Sequence, residues 1–389
     1  MSQQQPYAKE LGLALHAVHT ASLLTKSVLR SLSNSVTAET KPDDSPVTIA
    51  DFAAQALLIS FLSAAFPSDT FIGEESADAL RQNEALAQRV WLLVLRARDE
   101  LHARVAQSGD VPVKFPESVE DMFARIDAGG KSQVTGEGRV WVMDPVDGTA
   151  TFMQGQQYAV CLCLLVDGVQ TVGVIGCPNL AFEVHGPLGK TRVHEDQVDA
   201  EGFGVVLSAV EGQGTSVRAM RADGLGEPRK VDLTTLPTKD LSELDFVETT
   251  LGKTSLSQGE HKAVAESLGA AWPGTVIWAQ QMKHVALTLG ATDVMVRIPK
   301  TEDRFTYIWD HAGGHLLFQE AGGLIKDFNG KPIDFSHGRQ IKGEHNFGMI
   351  AAMPGYFENI DRAVQSILGQ REKRLLSQPA FDGDVDPTP

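Results

Sequence analysis

The chain has 389 residues, of which 42% are hydrophobic, which suits one large or two closely packed domains. Its formal net charge of −16 argues against binding to nucleic-acid polymers, which requires a basic face. No apolar run reaches about 18 residues and the first residues lack a signal-peptide pattern, so we expect no membrane association and a cytoplasmic location. The cysteines, Cys161, Cys163 and Cys177, fit buried thiols in a reducing compartment.

Apolar residues at helical spacing dominate the first third of the chain. We predict helices over residues 7–32, 48–66 and 118–126 and a largely helical segment over 77–106, in which Trp91, Leu92, Leu93 and Leu95 are core candidates. The second helix carries Asp51 in its first turn, where a carboxylate suits the helix dipole and could equally bind a cation. A strand at Thr70–Gly73 leads directly into Glu74 and Glu75.

Residues 140–149 join a buried strand to an acidic turn. The apolar run 140–143 predicts the strand, Asp144-Pro145 should end its pairing, and Asp147-Gly148 is a typical turn pair. Two carboxylates and the carbonyl of Val146 are oxygen ligands of the kind that Mg²⁺ prefers. An ordinary Asx-type turn explains the same residues equally well.

The rest of the chain predicts mixed α and β structure. Runs at 158–166 and 169–176 flank Asp167-Gly168, which is a strong hairpin signal. Further strands are predicted at 205–210, 246–249, 275–278, 294–298, 324–327 and 347–352, and helices at 259–268, 281–289, 310–321 and 356–368. We divide the chain into an N-terminal α+β domain (1–185), a C-terminal α/β domain (186–375) and a disordered tail (376–389).

A last acidic motif surrounds Asp310, which opens the helix predicted at 310–321 and could serve as its N-cap, as a metal ligand, or as both. His311 and His315 lie four residues apart, the spacing of a zinc-binding pair. No glutamate occupies the position that such zinc motifs require, so we do not predict zinc here.

Three motifs together resemble the inositol monophosphatase superfamily of Mg²⁺-dependent, lithium-sensitive phosphatases. They are Gly73-Glu74-Glu75, Asp144-Pro145-Val146-Asp147-Gly148-Thr149 and Trp309-Asp310-His311-Ala312-Gly313. The resemblance covers about residues 8–368 and is greatest to the fungal 3′(2′),5′-bisphosphate nucleotidase branch, through residues 45–55, 157–162 and 176–180. It implies the layered α/β/α/β/α sandwich of inositol monophosphatase and fructose-1,6-bisphosphatase, within the α+β and α/β classes.

The resemblance also implies a metal site with two or three Mg²⁺ ions. Asp144 would bridge two ions. Glu74 and the Val146 carbonyl would complete the shell of the first ion, and Asp147 and Asp310 that of the second. Asp51 would bind a further ion or activate the attacking water. The catalytic residues implied are Asp51, Glu74 and Thr149.

The implied reaction converts adenosine 3′,5′-bisphosphate to AMP and phosphate, with a small phosphorylated metabolite as the only partner. The candidate substrate-binding residues are Gly148, Thr149, Lys253, Ser255, Lys283 and Arg297. Departures from the branch pattern at Ala150, Gln154, Ser255 and Ala279 leave the exact substrate open. The alternatives are a phosphatase for inositol phosphates or another small metabolite, and a non-catalytic protein that binds a phosphorylated metabolite.

Overall fold

The structure is a computed structural model that describes residues 5–31, 39–40, 46–47, 49–105, 113–249 and 254–377. Within those ranges, no helix combines the length and apolar character that a membrane crossing requires. All three cysteines are buried free thiols, as predicted.

The chain alternates helices and strands throughout. The helices are α1 (Ala8–Ser31), α2 (Ile49–Ala65), α3 (Asp78–Gln82), α4 (Glu84–Val105), α5 (Val119–Gly130), α6 (Thr149–Met153), α7 (Gln258–Ser267), α8 (Gln280–Thr288), α9 (Ala312–Glu320) and α10 (Pro354–Ser377). Short 3-10 helices lie at Leu233–Thr235, Leu241–Glu243 and Ile308–Asp310.

The strands fall into one large sheet and several small ones. They are β1 (Glu39–Thr40), β2 (Pro46–Val47), β3 (Thr70–Gly73), β4 (Arg139–Asp147), β5 (Ala159–Val166), β6 (Val169–Cys177), β7 (Val205–Val210), β8 (Gly214–Arg221), β9 (Gly224–Leu225), β10 (Arg229–Val231), β11 (Val247–Glu248), β12 (Thr275–Val276), β13 (Val294–Arg297), β14 (Phe305–Tyr307), β15 (Leu324–Lys326), β16 (Gln340–Lys342) and β17 (Met349–Ala352).

The large sheet has the order β10-β8-β7-β6-β5-β4-β3, with β9 paired to β8. Its pairs are antiparallel except β3–β4, which is parallel. Asp167 (φ 50°) and Gly168 (φ 79°) form the predicted β5–β6 hairpin turn, because a two-residue hairpin turn of this type needs positive φ at both positions. The sheet includes strands on both sides of residue 185, so the predicted domain boundary there stays a prediction.

The elements stack in five layers. Helices α1 and α2 cover one face of the large sheet, and α8 and α9 cover the other. Beyond α8 and α9 lies the small antiparallel sheet β13-β17-β15, which α7 and α10 cover on its far side. The parallel pair β11–β12 lies beside it, as the strand and helix alternation predicted. This is the α/β/α/β/α order that the sequence predicts.

Strand β4 divides its side chains between two cores, because successive residues of a strand point to opposite faces. Trp141 and Met143 pack in the core with α2. Val140 and Val142 pack on the other face, against Ile308 and Trp309. The period of two therefore puts the next even-numbered residue, Asp144, on the face where Asp310 lies.

Residues 77–106 are largely helical, as predicted, in two helices, α3 and α4, that are separated at Asn83. Other predictions about individual elements were wrong. Leu92 is 62% exposed, because adjacent helical residues lie about 100° apart and the core side of α4 is formed by Val90, Val94 and Ala97. Strands β8 to β10, β14 and β16 were not predicted. The predicted tail from residue 376 lies outside the described residues from 378 onward, and α10 continues to Ser377.

Candidate metal centre

Three carboxylates from distant parts of the chain meet at the end of β4. One carboxylate oxygen from each of Asp144, Asp147 and Asp310 lies within 4.8 Å of the other two. Asp144 and Asp147 are buried, and Asp310 is partly exposed. The structure thus brings together three of the predicted metal ligands, two from one strand and one from the turn before α9.

A bulge in β4 sets the positions of the first two carboxylates. Asp144 pairs with Cys161 and Asp147 with Ala159, and the register shifts between the two pairs. The prediction that pairing ends at Asp144-Pro145 was therefore wrong, because the bulge skips Pro145, which has no N–H to donate, and pairing resumes at Asp147. The N–H of Val146 donates to Asp144 Oδ1 at 3.1 Å.

The N-terminus of α8 holds the carboxylate of Asp147. The backbone N–H of Gln280 donates to Asp147 Oδ1 at 3.0 Å, and that of Gln281 donates to Oδ2 at 2.5 Å. The side chain of Gln281 extends to the turn that carries Asp310. There it donates to the Trp309 carbonyl at 2.6 Å and accepts from the N–H of Gly314 at 2.9 Å. One residue of α8 therefore links the Asp147 loop to the Asp310 turn.

Asp310 ends a 3-10 turn, Ile308–Asp310, and α9 begins at Ala312 with His311 at the N-cap position. The prediction that Asp310 opens the helix as its N-cap was wrong, because the chain turns for one more residue before α9 begins. The Thr306 hydroxyl on β14 donates to Asp310 Oδ2 at 3.4 Å. The carboxylate is thus left facing the other two acids instead of the helix N-terminus.

The predicted residues Asp51 and Glu74 lie beside these carboxylates. Asp51 is fully buried in the first turn of α2, and Glu74 follows the last residue of β3. The charges of both raise the pKa of Asp144, which places them near it. The loop that carries Glu74 is braced from both sides, since Gln55 donates to the Glu75 carbonyl at 2.6 Å and Arg339 donates to the Gly73 carbonyl at 2.9 Å.

Gly148 connects the acidic loop to the short helix α6. Its φ of +91° is a left-handed conformation that side chains other than glycine rarely adopt. A Cβ at this position would lie 2.7 Å from both Ala279 Cβ and Thr151 Oγ1. Directly after it, the Thr149 hydroxyl donates to the Val146 carbonyl at 3.3 Å, beside the carboxylates.

Burial and mutual repulsion raise the pKa values of the three carboxyl groups. For Asp144, burial and the charge of Glu74 raise the pKa well above its usual range. Burial and the charge of Asp310 raise the pKa of Asp147 to about 7, although the two backbone N–H donors oppose this. Burial and the charge of Glu74 raise the pKa of Asp310 to about 7.

This arrangement fits a hard divalent cation. Several carboxylate oxygens converge where their negative charges repel one another, and an ion bound between them would remove that repulsion. The ligand atoms that Asp144, Asp147 and Asp310 offer are all oxygens, and Mg²⁺ and similar cations prefer oxygen to nitrogen or sulfur ligands. The residues that could hold such ions are Asp144, Asp147 and Asp310, with Glu74, Asp51 and the Val146 carbonyl next to them.

Cationic groups lie on the α8 side of the site. Lys283 is buried, and burial and the charge of Arg297 lower its pKa to about 8. Both Lys283 and Arg297 donate to Gln280 Oε1. Ser255 and Arg297 line a small cavity of about 40 Å³. Lys253, the remaining candidate, lies outside the described residues.

A larger cavity of about 570 Å³ opens beside Glu74. Glu74 and Trp309 lie in its wall together with Arg339, whose guanidinium stacks 4.6 Å from the Trp309 ring. The ring of Tyr307 stacks on Trp309 at 4.4 Å. Glu74 therefore connects this cavity to the carboxylates of the site.

Sequence reasoning missed Gln281, Thr306, Gln55 and Arg339, which position the acids or the loops that carry them. The side chains of these four residues have no characteristic spacing relative to the acids, so no signal in the sequence alone pointed to these roles.

Comparison with known proteins gives a consistent result. A sequence profile of the inositol monophosphatase family matches residues 102–354. The 3′(2′),5′-bisphosphate nucleotidase of Emericella nidulans is 36% identical over 93% of this chain and 99% of its own length. The protein of the same name from Schizosaccharomyces pombe is 38% identical over 92% of this chain and 95% of its own.

Solved structures of low sequence identity share the fold. Inositol monophosphatase II from Staphylococcus aureus superposes with a TM-score of 0.56 at 15% identity, covering 95% of this chain and 98% of that one. A Thermotoga maritima inositol monophosphatase gives 0.54 at 15% identity over 93% and 99%. The predicted layered sandwich is confirmed, and the chain belongs to the inositol monophosphatase family.

Proposed function

We propose that this protein is a Mg²⁺-dependent phosphomonoester hydrolase that converts adenosine 3′,5′-bisphosphate and water to AMP and phosphate. The observation that carries the proposal is the meeting of Asp144, Asp147 and Asp310 within 4.8 Å, with Lys283 and Arg297 on one side. Carboxylates to hold cations and cations to hold a second phosphate are what a substrate with two phosphates requires. The names of the fungal relatives support this substrate.

The metal ligands in this proposal are Asp144, Asp147, Asp310, Glu74 and the carbonyl of Val146, with Asp51 for a further ion. When bound, two or three Mg²⁺ ions would supply positive charge against the phosphoryl oxygens and activate water for attack. The α8 amides keep both oxygens of Asp147 in place, and Thr306 orients Asp310. These contacts fix the ligand positions before any ion binds.

The attacking water is oriented by Thr149 and loses its proton to Asp51 or Glu74. The Thr149 hydroxyl is anchored to the Val146 carbonyl at the start of α6, beside the acids. Asp51 is buried and Glu74 borders the wide cavity. Water attacks phosphorus and the bond from phosphorus to the 3′ oxygen of the ribose breaks. That oxygen takes up a proton from a water molecule, and the carboxylate returns its own proton to solvent.

Substrate binding is assigned to the backbone at Gly148 and to Thr149, Lys283, Arg297 and Ser255. Lys283 has a pKa of about 8 in the absence of substrate, so a nearby phosphate would favour its charged form. Gln280 Oε1 accepts from Lys283 and Arg297 and keeps the two cations on one side. Lys253 stays a candidate from the sequence.

A second candidate is a phosphatase for inositol phosphates or another small phosphorylated metabolite. The observation in its favour is the set of departures around the pocket at Ala150, Gln154 and Ala279. A non-catalytic binding protein is the third possibility, and it would release no phosphate at any Mg²⁺ concentration. Lithium sensitivity and a cytoplasmic location stay predictions from the sequence.

The deciding experiment measures phosphate release from adenosine 3′,5′-bisphosphate by purified protein over a Mg²⁺ titration. We expect release that depends on Mg²⁺ and is lost in Asp144→Ala, while Asp223→Ala, an exposed control, keeps it. Release from inositol monophosphate alone would favour the second candidate. Absence of release from both substrates, with Mg²⁺ still bound, would refute the proposed activity.

A further inference from the structure

Three histidines form a second cluster behind Asp310 that the proposed reaction does not use. His311 occupies the N-cap of α9, His315 lies one turn later, and His284 comes from α8. All three are buried, and one ring nitrogen of each lies within 4.8 Å of those of the other two. We refer to these three residues as the histidine cluster.

The spacing of the ring nitrogens approaches that of a tetrahedral metal site. His284 Nε2 and His311 Nδ1 are 3.3 Å apart. Two nitrogens that bind one tetrahedral Zn²⁺ at roughly 2.0–2.1 Å are separated by about 3.3–3.4 Å. The ring centroid of His315 lies 4.8 Å from that of His284 and 5.2 Å from that of His311, and one nitrogen of His315 lies within 4.8 Å of the other two ligand nitrogens.

The surroundings of His311 resemble those of a metal-bound imidazole. Its outer nitrogen, Nε2, lies 2.9 Å from the Thr306 hydroxyl, while Nδ1 faces the cluster. Histidines that bind metals almost always hold their other nitrogen in such a hydrogen bond, which fixes the ring. Thr306 also contacts Asp310, so it connects the histidine cluster to the proposed magnesium site.

Burying the polar nitrogens of the histidine cluster costs free energy if the three rings serve only for packing. His315 Nε2 is buried and has no hydrogen-bond partner among the residues that the structure describes. Buried polar atoms normally have partners, and a metal-binding role is one explanation for such exceptions. Burial also lowers the pKa of His315 to about 3, so this ring is neutral and keeps a lone pair for a ligand bond.

We propose that His284, His311 and His315 bind a transition-metal ion, with Zn²⁺ as the best fit. Neutral imidazoles suit zinc and its neighbours in the first transition row, whereas the carboxylates of Asp144, Asp147 and Asp310 suit Mg²⁺. The protein would thus hold two kinds of metal side by side, with Thr306 between them. The pair His311 and His315 alone did not predict this site, because its third ligand lies on a different helix.

The test measures zinc content in protein produced with added Zn²⁺ and then exchanged into excess Mg²⁺, which occupies the carboxylates. Wild type should retain zinc, and His284→Phe and His315→Leu should each lose it. We expect affinity to fall by more than about 100-fold, since loss of a ligand's hydrogen-bond partner alone costs roughly 10- to 100-fold. His345→Phe, which removes a histidine stacked on His337 outside the cluster, should retain zinc as wild type does.

A spectroscopic readout identifies the ligands independently of phosphate release. Cu²⁺ loaded in place of zinc should show nitrogen hyperfine coupling by electron paramagnetic resonance in wild type, with reduced coupling in His315→Leu. Thermal melting in Mg²⁺ identifies which variants fold, and either folded variant suffices for the test. Zinc retained by a folded cluster variant, no zinc in wild type, or a copper spectrum without nitrogen coupling would each overturn the proposal.

Discussion

The crowding of carboxylates predicts that replacing one of them stabilises the metal-free protein. Burial and the charge of Glu74 raise the pKa of Asp310 from 3.8 to about 7. Because the folded-state pKa lies above the unfolded value, the folded protein binds this proton more tightly, and stability falls as pH rises from about 4 to about 7. Asp310→Asn removes the charge and keeps an oxygen that can accept from Thr306.

The pKa change gives the size of the effect. At pH 8 the pKa change lowers the free energy of unfolding of wild type by at most about 4 kcal/mol. Relaxation around the partly exposed Asp310 reduces this loss to about 2–4 kcal/mol. For a chain of 389 residues, 1 kcal/mol moves the melting temperature by about 1 °C. In EDTA at pH 8, Asp310→Asn should therefore melt about 2–4 °C above wild type, and the difference should vanish near pH 4.

Magnesium should reverse this order. Wild type in Mg²⁺ at roughly 1,000 times its dissociation constant gains about 4.1 kcal/mol, whereas Asp310→Asn has lost a ligand and gains little. The assay is thermal melting at pH 4, 6 and 8, with and without Mg²⁺, beside the exposed control Asp223→Asn, which should not differ from wild type. An Asp310→Asn protein that is less stable than wild type in EDTA at pH 8 would refute the repulsion argument.

Other substitutions test single contacts of the site. Gly148→Ala should cost about 1–3 kcal/mol, because φ is +91° and the new Cβ would contact Ala279; unchanged denaturant unfolding would contradict this. Lys283→Met should raise KM for adenosine 3′,5′-bisphosphate by about 10- to 100-fold through loss of a charged hydrogen bond. Wild-type KM should rise above pH 8 as Lys283 loses its proton, and a flat KM profile would argue against its role. Thr149→Ala should lower kcat by about 100-fold through misplaced water, and full turnover would refute its assignment.

Local signals in the sequence predicted much of this molecule. The hairpin at Asp167-Gly168 and strand β3 leading into Glu74 depend on residues close together in the chain, so pattern and turn chemistry suffice. The acids of β4 were found for the same reason, since Asp144 and Asp147 share one strand end. The roles of individual site residues stay predictions until their substitutions are measured.

Contacts between distant segments could not be predicted in this way. Gln281 bonds to Asp147 across 134 positions of the chain, and nothing local distinguishes it from other helical glutamines. Strand β14 carries Thr306 but has only three residues, too few for a period of two to be recognised. Leu92 failed as a core residue because a run of adjacent apolar residues cannot all face one side of a helix.

The arrangement of donors shows why the site requires both halves of the chain. The bulge in β4 places Asp144 and Asp147, but the amides that hold Asp147 belong to α8. The same helix reaches the Asp310 turn through Gln281 and contributes His284 to the histidine cluster. A shift of α8 would therefore move His284 and the two amides that hold Asp147 at the same time, so both proposed metal sites depend on where this one helix lies.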